Sequence, residues 1–83
     1  MSNRTTKLRG KKEQVGYYVA LQTALERDQL GIALEELLSM SYTELKRVTE
    51  REEEYLLMTD RGEQAIASAK RSATRAYYFI MRG

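Results

Sequence analysis

The chain has 83 residues and 9.6 kDa, with neither cysteine nor histidine and a formal net charge of +2. That length holds one small domain of modest core. The composition excludes disulfides, Cys/His zinc sites, thiol nucleophiles and histidine general bases.

Charge is unevenly spread along the chain. Residues 1–12 carry Arg4, Lys7, Arg9, Lys11 and Lys12 with no acid, whereas residues 13–63 hold all twelve acids against five cations, a local balance of −7. Residues 64–83 then add Lys70, Arg71, Arg75 and Arg82 with no acid. Basic ends suit phosphates, and an acidic middle repels them unless its few cations gather on one side. No apolar run approaches the roughly 20 residues that span a bilayer, and the basic start is followed by no apolar leader. The expectation is a cytoplasmic protein with no cofactor and no catalytic role, since no glycine-rich phosphate loop or nucleophile–base pair is present.

In chain order, residues 1–11 read as a flexible basic arm, with Leu8 their one large aliphatic residue beyond Met1. Residues 12–83 read as a single all-α domain. A first helix from about Lys12 places Tyr18, Leu21 and Leu25 on one face and should end near Gly31. In the pairs Tyr17/Tyr18 and Tyr77/Tyr78, neighbours lie about 100° apart on a helix, so one of each pair is expected inside and the other outside.

A short helix follows in "IALEELLSM", burying Ile32, Leu34, Leu37 and Leu38. Ser41 and Glu44 have the spacing of a capping box, which starts another helix at Ser41. Tyr42, Leu45, Val48, Tyr55 and Leu56 keep helical spacing beyond it, with Glu52 interrupting the stripe, while Tyr55–Met58 fits a short strand equally well. Glu52, Glu53 and Glu54 read as a solvated face, because consecutive helical carboxylates point apart and cannot share an ion. Asp60 and Glu63 repeat the capping-box spacing before one long C-terminal helix with Ile66, Ala69, Ala73, Ala76 and Ile80 on one face. Its apolar end, "AYYFIM", asks for a cover, so Tyr77, Tyr78, Phe79 and Ile80 are the candidate interface for a second copy or another regulator.

The stretch "LEELLSMSYTELKRV" resembles the two-helix core of the helix-turn-helix regulators of phage and bacteria. Leu34, Leu38, Met40, Leu45 and Val48 occupy that pattern's five apolar places. Glu35 and Ser39 depart from it, standing where a small residue and a glycine are preferred. A second stretch, "LMTDRGEQAI", is similar to the strand-to-helix junction of winged-helix domains, which implies a short β wing. What the first resemblance implies is transcription control: the second helix would present Tyr42, Thr43, Lys46 and Arg47 to DNA, and the arm would lie along phosphates. The alternative is an accessory protein, a co-repressor or inhibitor that binds another regulator or an enzyme.

Overall fold

The computed structural model describes residues 10–26 and 30–82. The fold is all-α: five helices run through the described residues, α1 Lys11–Ala24, α2 Leu34–Ser39, α3 Tyr42–Leu57, α4 Gly62–Arg71 and α5 Ala73–Arg82. None of them is long and apolar enough to cross a membrane.

Helix α1 is the central element, and its small residue explains why. Gly16 is buried where α5 crosses, and an added Cβ would fall 2.8 Å from the Ala73 carbonyl carbon and 3.0 Å from the Tyr77 nitrogen. Only a glycine facing an alanine lets the two backbones approach so closely. That approach fixes the rotation of α1 about its own axis and explains a departure from expectation: Tyr17 and Tyr18 are both buried. Their 100° separation points them at different neighbours instead of at core and solvent. Tyr17 joins Leu21, Leu56, Ala69 and Ala73 in one cluster, and Tyr18 joins Val15, Leu37 and Leu45 in a second. Burial of side chains this size stabilises by roughly 1.5–3 kcal/mol each.

The start of α3 follows its sequence. Ser41 Oγ accepts from the Glu44 amide at 3.2 Å, and the Ser41 amide donates to Glu44 Oε1 at 3.4 Å, closing the capping box. The preceding α2 is one and a half turns long, and Leu37 anchors it in the second cluster with Leu34, Leu38 and Met40 packed around it.

Several boundaries fall elsewhere than expected. Helix α1 starts at Lys11, next to the expected Lys12. Its other end comes at Ala24, well before Gly31: Leu25 turns in to pack on the Tyr17 cluster, and Glu26 takes the left-handed conformation at φ 59. The reverse turn is thus made by a glutamate, at a conformational cost of about 1 kcal/mol or more.

The wing is absent, since Tyr55–Leu57 completes α3 and no strand occurs among the described residues. Asp60 caps nothing; Arg61 holds the N-cap place of α4 without a side-chain bond. There the start is set by Gly62, whose missing side chain leaves room for Leu56 and Leu57: a Cβ would lie 2.5 Å from the Leu56 carbonyl carbon. Finally, the long C-terminal helix is two helices parted at Ser72, whose hydroxyl donates to the Ala69 carbonyl at 3.3 Å in competition with the backbone.

Two outcomes test this packing. Gly16→Ala should cost about 1–3 kcal/mol even after the alanine's helix propensity is credited, because α1 and α5 must separate. Urea unfolding with an undiminished midpoint would show that the crossing is looser than described. Ser41→Ala should lower stability by about 1 kcal/mol, read as a drop in melting temperature, since the Glu44 amide loses its acceptor.

Candidate nucleic-acid interface

The hairpin of α2 and α3 exposes the early residues of α3. Tyr42, Thr43, Lys46 and Arg47 all lie on the surface, with the Lys46 Nζ 5.4 Å from the centroid of the Tyr42 ring. The capping box engages the Ser41 and Glu44 amides at this terminus. Lys46 and Arg47 are the cations in reach.

Five acids on α3 stand against this reading on composition alone, and their placement changes the balance. Glu52 is buried and Glu53 half-buried, so neither belongs to the solvated face expected of residues 52–54. Tyr17 donates its phenol hydrogen to Glu53 Oε2, which turns that carboxylate toward α1. Glu44 is engaged in the capping box. Glu44, Glu50 and Glu54 are the exposed acids of α3, beside Lys46, Arg47 and Arg51. On the outer face of α3 the charge is therefore close to balanced, and cations dominate its first half.

The start of α1 borders this hairpin. Lys11 donates to the Leu38 carbonyl near the end of α2, and so serves as a tether more than as a free contact. Lys12 is exposed, its Nζ 5.6 Å from the centroid of the Tyr78 ring on α5. Thr74 donates to Glu13 Oε2 at 2.7 Å and ties the first turn of α5 to the same end of α1. Between these residues lies an open pocket of about 280 Å³, with Tyr77 and Tyr78 on its α5 side. Arg4, Lys7 and Arg9 lie outside the described residues.

The four apolar candidates of α5 separate. Tyr77 is half-buried against the Val15, Tyr18 and Leu37 cluster, and Ile80 is half-buried beside α1. Tyr78 and Phe79 are the outward pair, 50% and 79% exposed. Arg75 and Arg82, which periodicity of the apolar residues does not mark, share this outer face, three residues before and four after Tyr78.

No protein-family model, no curated protein and no solved structure matches this chain.

The Tyr17–Glu53 contact gives a pH-dependent test. Burial first, and then the hydrogen bond and charge of Glu53, push the Tyr17 phenol well above the ordinary tyrosine range. Replacing it in Tyr17→Phe should cost roughly 1.5 kcal/mol at neutral pH, as the bond is to a charged acceptor. Above about pH 10 the unfolded wild-type chain releases this proton while the folded one keeps it, so the wild type loses up to about 1.4 kcal/mol per pH unit that the variant does not. The stability gap should accordingly narrow as pH rises past 10, measured by urea unfolding. A constant gap would mean that Tyr17 ionises as freely in the fold as outside it.

Proposed function

We propose that the protein is a small cytoplasmic transcription regulator that holds DNA through the first half of α3. Lys46 and Arg47 take phosphates or guanine edges, and Tyr42 and Thr43 lie beside them at the groove. Lys12 extends the contact toward the N-terminal arm. One observation carries the reading: the acids that would repel DNA from α3 are partly withdrawn, with Glu52 buried and Glu53 bonded to Tyr17. Outward at the helix start stand Tyr42, Lys46 and Arg47, with Glu44 held in the capping box as the one acid among them. The hairpin pattern of Leu34, Leu38, Met40, Leu45 and Val48 supports it, since all but Leu45, itself fully buried, lie half-buried around the second cluster.

A second reading has its own observation. Tyr78 and Phe79 leave aromatic surface exposed on α5, which suits an accessory protein that docks on another regulator, or a second copy of this chain.

The test is duplex binding by fluorescence anisotropy over a range of salt concentrations. A DNA binder loses affinity steeply with salt, and Lys46→Ala and Arg47→Ala should each make the log–log slope shallower by about 0.9 if each neutralises one phosphate. Slopes equal to wild type in both variants would remove α3 from the interface and leave the accessory reading.

A further inference from the structure

The outer face of α5 combines an aromatic pair and two arginines that the α3 reading does not use, beside Lys12, which it shares. Its aromatic pair is exposed, Tyr78 at 50% and Phe79 at 79%, and the cations around it are Lys12, Arg75 and Arg82, with no acid anywhere in α5. Lys12 Nζ stands 5.6 Å from the Tyr78 ring centroid, and the Tyr77 ring meets the Tyr78 ring edge-on at 5.6 Å and 80°. Tyr78 is thus held upright at the rim of the pocket between α1 and α5 by a half-buried neighbour, and its ring stays half open to solvent. The one acid lining the pocket, Glu13, accepts from Thr74.

We propose that this face binds single-stranded nucleic acid, with a base stacked on Tyr78 and a second beside Phe79, and with Lys12, Arg75 and Arg82 on the flanking phosphates. Aromatic platforms interleaved with cations are the chemistry that holds unpaired strands, because every base has a π-face and every linkage a charge. A duplex offers no such face, since its bases are already stacked and its edges lie in grooves. A purely protein-binding patch favours aromatics in a well-packed apolar centre ringed by neutral contacts. Here arginines stand within one helical turn on either side of Tyr78. The inference rests on the DNA-binding reading and deepens it: α1 joins both faces, with Lys11 bound to α2 and Lys12 over α5, so the ligand would be a duplex with an unpaired segment next to it.

The experiment uses the full chain, a labelled oligothymidylate and a labelled duplex of equal length, again by anisotropy. Wild type should bind the oligothymidylate, Tyr78→Ala should weaken that binding about tenfold or more, and Tyr78→Phe should retain it. Arg82→Gln should make the single-strand salt slope shallower by about 0.7. Arg82 is exposed, so Arg82→Gln should keep the wild-type melting temperature, and Tyr78→Ala, which also loses the Tyr77 edge contact, should keep the wild-type helical circular dichroism and a cooperative melt. Lys46→Ala and Arg47→Ala should weaken the duplex and leave the oligothymidylate nearly unchanged. Equal single-strand affinity in wild type and Tyr78→Ala overturns the platform even where duplex binding and its dependence on Lys46 stand. Loss of duplex binding alone overturns the α3 reading instead. Sedimentation showing a dimer that Tyr78→Ala dissociates, without oligothymidylate binding, assigns the face to a second copy and overturns the proposal.

Discussion

The close crossing of α1 and α5 at Gly16 and Ala73 is the constraint on which the other contacts depend. A backbone-to-backbone approach allows no rotation of either helix, because there is no side chain to adapt. Once α1 is fixed there, Tyr17 must point toward α3 and α4 and Tyr18 toward α2 and the start of α3. The two clusters are thereby placed on either side of one helix. With so small a chain, this arrangement lets α1 be buried on nearly all sides, which a simple amphipathic helix on a surface does not achieve. It also sets the position of the first turn of α1, where Lys11 meets α2 and Lys12 meets α5.

What could be read from the sequence was what is decided locally. The capping box at Ser41 and Glu44 needs only residues three apart, and it forms. The same spacing at Asp60 and Glu63 does not cap α4, because the approach of Gly62 to the Leu56 carbonyl decides where that helix begins, and that approach is a tertiary matter. Periodicity likewise found the helical stripe of Leu45 and Leu56 but treated Glu52 as an interruption of it. In space Glu52 lies on the same inward face, since positions 45, 49, 52 and 56 recur at helical spacing. Burial of a polar residue in a stripe is invisible to a pattern that counts only apolar ones.

The candidate site divides in the same way. Tyr42, Thr43, Lys46 and Arg47 were readable because the early residues of a capped helix are exposed when its apolar stripe is short. The acids on α3 were readable as charges but not as directions, and direction determines whether they oppose a phosphate. Tyr17 makes the difference at Glu53: a buried phenol on α1 needs an acceptor, and the nearest one is drawn in from the outer surface. The cost of burying that hydroxyl is offset by a charged acceptor, and the Glu53 carboxylate is turned toward α1.

Charge segregation along the chain then acquires a spatial sense. Lys12, from the acid-free start, meets the acid-free α5, which packs on α1 with Tyr78 beneath that lysine. The Tyr78 ring is half exposed there, and Lys11 beside Lys12 is tethered to α2. A nearly neutral protein can in this way concentrate positive potential at the seam where three helices meet. Attraction of a polyanion depends on that local field more than on the net charge, which here is only +2.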